Sequence, residues 1–514
     1  MTDLSQRPGR GHIEPGQERF RELYEAGRPQ VVWTRIIADL ETPVSAMLKL
    51  AAGKPNAFLL ESVESGASRG RYSIIGFDPD LIWWAQGTSS WIDKSPGQAN
   101  SPEPCEGGPL SALRHVLETS RIDLPEELPP MAAGIFGYMG YDTVRLIEHL
   151  PAEKPDALAV PDSVMIRPTI MVIFDSLKYE ITLVTPVRPM TGTPGDQAFG
   201  EASKRLLAVI HALDQPLRHD IDAGAEGIAL PQQASNTRAE AYMEMVRKAK
   251  DYIAAGDIFQ VVLSQRFSAP FTLPPLALYR ALRRVNPSPF LYYLNFDGFA
   301  IVGSSPEILV RVRDGDVTIR PIAGTRPRGA TADEDKALAD ELLADQKECA
   351  EHLMLLDLGR NDVGRVAEIG SVQVTDSFFL EYYSHVMHIV SNVTGRLDQS
   401  HDAIDALMAG FPAGTLSGAP KVRAMEIIDE LERDKRGPYA GCVGYFSANG
   451  EMDSCIVLRT SLVKDGVMHV QAGAGIVADS VPENEQAECL TKARALFRAA
   501  EEAVRFSSGP KRSQ

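Results

Sequence analysis

Apolar positions along this chain fall into short strand-like runs more often than into helical stripes. From Val31 to Val187 the runs AFLLES, RYSIIGF, LIWWAQ, MIRPTIMVIF and YEITLVTPV each read as a strand of ordinary length. KSPGQANSPEPCEGG (94–108) interrupts them and reads as a solvated loop. One helical stretch, near 196–214, lies in a Pro-, Gly-, Ala- and Gln-rich segment that ends at 237. A domain boundary is expected there, near residue 235.

The second part opens with NTRAEAYMEMVRKAKDYIAAGD. Thr237 and Glu240 make a capping-box pattern, Tyr242, Met245, Val246, Ala249 and Ile253 follow helical spacing, and Gly256 is a natural stop. IFQVVLSQRF, PFLYYLNF and FAIVGS read as strands, followed by a hairpin over 307–320 with Asp314-Gly315 at its turn. A long helical region is expected from Asp333 to about Leu358, and a final helix over about 483–504. Between them an antiparallel meander runs from CVGYF to GAGIV, with turns at Asn449-Gly450 and Asp465-Gly466. Strand runs joined by hairpins, with helices between, predict an α+β protein on large antiparallel sheets and not a doubly wound parallel fold. The expected layout is a flexible tail at 1–17, an N-terminal domain at 18–234 and a catalytic domain at 235–506.

Composition changes this picture mainly by exclusion. Of 514 residues, 44% are apolar and 24% charged, an ordinary globular balance. A formal net charge of −17 disfavours nucleic acid and anionic membranes as partners. It leaves room for a small anion in a local cluster of arginines. The polar N-terminus lacks a signal-peptide core, and no apolar run approaches a membrane span. Five scattered cysteines, never spaced as CxxC, argue against a disulfide framework or a thiolate zinc site. A cytoplasmic enzyme is expected.

Three features could carry chemistry. Glu348 and Glu351 lie three apart on one predicted helix, and Glu485 and Glu488 three apart on another. Facing each other they would hold a hard cation; alone they would be solvated or would complement a helix dipole. In YYSHVMHIVSNVTG, His385 and His388 share a face on a helix but point oppositely on a strand, and each reads either as acid/base or as a core histidine. Finally GSSPE, PIAGTRPRGA and PAGTLSGAPKVRAM combine glycine with hydroxyl or basic residues, and QAGAGIV combines it with alanine. They read as loops whose N–H groups could cradle an anion, or as plain turns.

Taken together, PIAGTRPRG, EHLMLLDLGRNDVGRV, YSHVMHIVSNVTG, FPAGTLSGAPKVRAMEIID, GCVGYF and VQAGAGIVADSVPENE resemble the chorismate-utilising enzymes, most closely the large-subunit (component I) anthranilate synthases. The likeness runs from about 235 to 500, with a weaker echo in LLES and RYSIIGFDP. It implies a two-domain enzyme that converts chorismate and ammonia to anthranilate and pyruvate, the first step of tryptophan biosynthesis. It also implies Mg²⁺, a separate glutamine amidotransferase subunit that supplies the ammonia, and feedback inhibition by tryptophan.

By motif position the resemblance implies Glu351 and Glu488 as metal ligands, with Glu348 and Glu485 as neighbours. Gly324, Thr325, Tyr439, Arg459, Gly473, Ala474, Gly475 and Lys492 would hold chorismate. Glu307 would protonate the departing 4-hydroxyl, and His388 would serve loss of the enolpyruvyl group. Ser62, Pro289, Phe290 and Leu291 would contact tryptophan. Relatives that attack with a lysine have it where this chain has Ala323, and relatives that activate water have one where it has Gln260. With neither, the nucleophile has to arrive competent, as unprotonated ammonia does. Two other readings stay open at this level: another chorismate-converting synthase, such as one that stops at the aminated intermediate, and a non-catalytic tryptophan-binding regulator.

Overall fold

The computed structural model describes residues 12–63, 69–98, 101–151, 154–217, 232–383 and 386–508. Its strands form two antiparallel runs that share the strand Ser163–Asp175. One run goes Gln30–Ile37, Glu180–Val187, Ser163–Asp175, Arg69–Gln86, Ala57–Val63, Phe290–Asn295, Phe299–Ser305, Thr460–Lys464, Val467–Ile476, Gln260–Pro270. The other goes Ser163–Asp175, Gly134–Met139, Cys442–Ser447, Met452–Ile456, Ile308–Arg313, Asp316–Ile319, Val386–Arg396. Val386–Arg396 then pairs with Ile322–Pro327 and, on its other edge, with Gln373–Tyr382. Strands from both sides of residue 235 thus join in one hydrogen-bonded network, at Ala57–Val63 with Phe290–Asn295 and at Gly134–Met139 with Cys442–Ser447.

Side chains from both runs meet in a shared core that includes Phe58, Ile74, Phe136, Tyr138, Tyr292, Ile301 and Tyr445. Phe58 stacks on Phe136 with ring centroids 4.7 Å apart. Taking one such side chain out of water is worth about 1.5–3 kcal/mol. Helices cover the outer faces. Gln17–Glu25 and Gly195–Leu213 pack over Gln30–Ile37 and Glu180–Val187, and Pro482–Ser508 with Ala239–Ala254 and Pro275–Val285 covers the pair Val467–Ile476 and Gln260–Pro270. Gln346–Gly364 and Ala332–Ala344 cover Ile322–Pro327 and Val386–Arg396.

Several local expectations change. RYSIIGF and LIWWAQ are one strand, Arg69–Gln86, which passes Asp78 (φ 51°) and slips register between Pro79 and Leu81. A bulge absorbs the turn signal without ending the strand. Thr237 does not cap: the helix starts at Ala239 behind Arg238, and the Thr237 hydroxyl donates to Asn236 Oδ1 at 3.1 Å. The long helix is two, broken at Asp345, whose carboxylate caps the second through the N–H groups of Lys347 and Glu348. PIAGTRP is a bulged strand rather than a loop, and QAGAGI lies in a strand as well. The meander is split, because Met452–Ile456 and Thr460–Lys464 belong to different runs. Of the expected tail, 1–11 lie outside the described residues, and Glu14 pairs with Trp33.

Candidate active site

The site lies where the chain changes sheet. Phe299–Ser305 is in one run and Ile308–Arg313 in the other, so Pro306 and Glu307 make the crossing. Val457–Arg459 cross back between Met452–Ile456 and Thr460–Lys464. The two crossings are stitched together: the Ile456 N–H donates to the Glu307 carbonyl at 3.0 Å, and the Ser304 N–H to the Arg459 carbonyl at 3.2 Å. Arg459 adopts φ 49°, an uncommon conformation for a long side chain, at the end of its crossing.

Glu307 is 7% exposed, and its carboxyl faces the Thr415 hydroxyl at 3.2 and 3.3 Å. Burial pushes its pKa up to about 8, against the hydrogen bond from Thr415 and the charge of Arg459. It therefore carries a proton at neutral pH. Burial pushes the Arg459 guanidinium down, while Tyr383 and Glu307 pull it back up.

His388 sits on Val386–Arg396, opposite Thr325. Its Nδ1 lies 3.1 Å from the Gly324 carbonyl and 3.0 Å from the Thr325 hydroxyl. A carbonyl only accepts, so Nδ1 carries the hydrogen and Nε2 keeps a lone pair. Burial pushes the ring down to about 4, so it is neutral at pH 7. The bulge makes this contact possible: pairing skips from Ala323 to Thr325, and Gly324 takes φ 72°. On this strand a residue three positions away would face the other side, and His385 itself lies outside the described residues.

The acidic helix Gln346–Gly364 passes the other side of Gly324. A Cβ on Gly324 would come within 3.3 Å of Glu348 Oε2. Glu351 accepts a hydrogen bond from Gln260 Nε2 at 3.2 Å, and burial followed by the charge of Glu348 raises its pKa, with a smaller contribution from Glu488. Glu485 is raised by burial and by Glu488 too. Glu488 pairs with Lys492 at 2.7 Å, and Lys492 also donates to the Gly473 carbonyl at 3.0 Å. Among the described residues no three His, Cys, Asp or Glu side chains converge as a ready-made metal site. The mutual repulsion of these carboxylates is what a divalent cation would relieve, and Mg²⁺ takes few protein carboxylates beside water and substrate oxygens.

The glycine strand has to be bare. A Cβ on Gly473 would lie 2.7 Å from the Leu263 carbonyl and 3.0 Å from the Tyr439 hydroxyl, and one on Gly475 would lie 2.5 Å from Gln260 Nε2. Ala474 is fully buried between them, opposite Leu263. Tyr439 is held from behind by Arg436, a buried guanidinium that stacks over its ring at 5.5 Å. Arg436 donates to the Leu416 and Val262 carbonyls, each at 2.7 Å, and pairs with Glu432. Lys421 and Arg423, at the end of PAGTLSGAPKVRAM, are occupied by carboxylates: Lys421 pairs with buried Asp362 at 2.8 Å and Arg423 with Asp257 at 2.8 Å.

Ser62, Pro289, Phe290 and Leu291 do not join this site. They line a separate cavity of about 630 Å³, where Ser62 stands opposite Phe290 in register. Arg311, Arg313, Arg320, Glu381 and Tyr383 line it too. Sequence reasoning passed over three residues. Thr415 lay within a quoted motif, a hydroxyl among glycines, and Tyr383 lay beside the histidines. Arg436 had no local signal, because its importance comes from burial alone.

The family model described as chorismate binding enzyme matches residues 57–498. The chain is 55% identical to anthranilate synthase component 1 of Cereibacter sphaeroides over 493 residues, 95% of this chain and 98% of that protein. It is 50% identical to the protein of that name from Thermus thermophilus over 467 residues, 90% and 96% of the two chains. Among solved structures, anthranilate synthase component I from Streptococcus pneumoniae superposes with a TM-score of 0.72 at 37% identity, covering 90% of this chain and 99% of that one. The menaquinone-specific isochorismate synthase of Escherichia coli shares the fold, with a TM-score of 0.69 at 18% identity, covering 94% and 98%. The chain thus belongs to the chorismate binding enzymes, in the branch formed by the component 1 proteins of anthranilate synthase.

Proposed function

We propose that this chain makes anthranilate and pyruvate from chorismate and ammonia, as the synthase subunit that opens tryptophan biosynthesis. The observation that carries the reading is a pairing: a buried carboxyl that keeps its proton near pH 7, Glu307, in one site with an imidazole that keeps its lone pair, His388. One can give a proton and the other can take one without any prior change of state.

In this reading Gly324, Thr325, Tyr439, Arg459, Gly473, Ala474, Gly475 and Lys492 cradle chorismate, and fixing its orientation supplies much of the rate. Ammonia forms a bond at C2 while the C4–O bond breaks, and Glu307 protonates the departing hydroxyl to water. The aminated ring then loses its C2 proton to His388 Nε2 as enolpyruvate leaves, and the ring becomes aromatic. Ala323 and Gln260 offer no competing amine or base, which favours external ammonia. Glu351 and Glu488 would hold Mg²⁺, with Glu348 and Glu485 beside them; when bound, the ion neutralises the substrate's carboxylate charge.

Ser62 from the part 18–234 and Pro289, Phe290 and Leu291 from the part 235–506 would bind tryptophan between two halves of the chain. A separate glutaminase subunit would supply ammonia in the cytoplasm. No helix among the described residues is long and apolar enough to cross a membrane. The test is the purified chain with chorismate, Mg²⁺ and ammonium at alkaline pH, followed by anthranilate fluorescence and by pyruvate release. Equal amounts of both products are expected. An aminated product without pyruvate would instead identify a synthase that stops half-way.

A further inference from the structure

Tyr383 lies outside both expected sets of residues, yet it touches both places. It lines the cavity of Ser62 and Phe290, and its ring packs edge-to-face on His388 with centroids 5.4 Å apart and planes at 66°. Its hydroxyl donates to Glu381 Oε2 at 2.8 Å, and Arg320 holds the other oxygen of that carboxylate. Both Glu381 and Arg320 line the same cavity. The main chain of Tyr383 is pinned independently: its N–H donates to the Val386 carbonyl at 2.8 Å, and its carbonyl accepts from Arg328 at 2.7 Å. The side chain is therefore a lever on a fixed pivot. One end rests on an ion pair in the cavity and its flank rests on the imidazole.

The geometry points to Tyr383 as a positioning residue whose ring sets the imidazole of His388 and whose hydroxyl ties that setting, through Glu381 and Arg320, to the occupant of the neighbouring cavity. The transmission part rests on reading that cavity as the site for tryptophan. A free amino acid brings one carboxylate and one ammonium, and either competes for the Arg320–Glu381 pair. An occupant that draws Glu381 or Arg320 away releases the Tyr383 hydroxyl, and the ring that orients His388 loses its anchor. Such an effector acts by binding one setting of the lever better than the other.

Two variants separate the two roles. Tyr383→Leu removes the ring, and Tyr383→Phe removes only the hydroxyl. Without tryptophan, the leucine variant should release aminated intermediate and anthranilate in a ratio raised at least about tenfold, with the KM for chorismate little changed, while the phenylalanine variant restores most of the normal ratio. A leucine variant with the parental ratio overturns the positioning role, since loss of packing alone would lower both products together. With tryptophan, the phenylalanine variant should bind the amino acid by calorimetry about as the parent does, yet lose at least about fivefold in inhibition at saturation. Full inhibition of that variant overturns the transmission. A parent chain that binds no tryptophan overturns the reading of the cavity instead, and the calorimetric trace tells the two failures apart.

Discussion

Burial acts in opposite directions on Glu307 and His388, and both directions serve the chemistry. A carboxyl out of water holds its proton and an imidazole out of water sheds its own, so acid and base coexist at one pH. Replacing Glu307 by Gln removes the proton donor at nearly constant volume, and kcat should fall about 10²–10⁴-fold with chorismate binding retained. Measured at constant free ammonia, the rate of the parent should fall as pH rises through about 8, where Glu307 loses its proton, and the Gln variant should lack that limb. Replacing His388 by Met should leave amination running but stall the second step, and chromatography should show the aminated compound accumulating. The same shifts bear on stability with opposite signs. His388 ordinarily titrates near 6.5 and here near 4, so its stabilising neutrality is complete above pH 6.5 and lost as pH falls towards 4. Glu307 ordinarily titrates near 4.5 and here near 8, so its destabilising effect is absent below pH 4.5 and grows up to pH 8.

At the scale of elements, two helix ends bring their carboxylates within range of one another. Asp345 breaks the first helix and re-aims it, so that Glu348 lies beside Gly324 and Glu351 meets Gln260. If Glu351 and Glu488 hold the ion, Glu351→Gln and Glu488→Gln should each cost at least about 10²-fold in turnover and raise the Mg²⁺ concentration needed for half activity, with the melting temperature kept. Full turnover of both variants without added metal would refute that assignment. Ser62→Arg should fill the second cavity, and turnover should then proceed at tryptophan concentrations that stop the parent. Much of this layer was legible beforehand. Asp314-Gly315 and Asp465-Gly466 take positive φ at both turn positions, as their residue types demand, and Gly256 ends its helix at φ 84°. What was hidden depended on distant partners. Nothing local says that PIAGTRP pairs with Val386–Val390, or that GSSPE and LRT are crossings between sheets, because register is decided by strands remote in sequence. The motifs supplied the candidate residues, while the contacts of Thr415, Tyr383 and Arg436 emerged only from packing.

For the molecule as a whole, the proposed reaction leaves glutamine hydrolysis to a separate subunit. A glutaminase needs an activated thiolate, whereas burial pushes the thiol of Cys442 up to about 12 and that of Cys489 to about 11, the reverse of activation. All five cysteines are free. The isolated chain should therefore make anthranilate from ammonium and none from glutamine, and adding an amidotransferase subunit should confer glutamine use. Anthranilate made from glutamine by this chain alone would overturn the need for a partner.

The pairing of strands far apart in sequence has a consequence for synthesis on the ribosome. Gln260–Pro270 pairs along its length with Val467–Ile476 and, more briefly, with Gly418–Ala419 and Ala234–Ser235, and Ala57–Val63 finds one of its two neighbours in Phe290–Asn295. At about 5–20 residues per second, the roughly 200 residues between Pro270 and Val467 take about 10–40 s to emerge. During that interval the edge of Gln260–Pro270 that receives Val467–Ile476 waits unpaired. A chain cut short before Val467 leaves that edge open, and an open strand edge is a template for pairing with other chains.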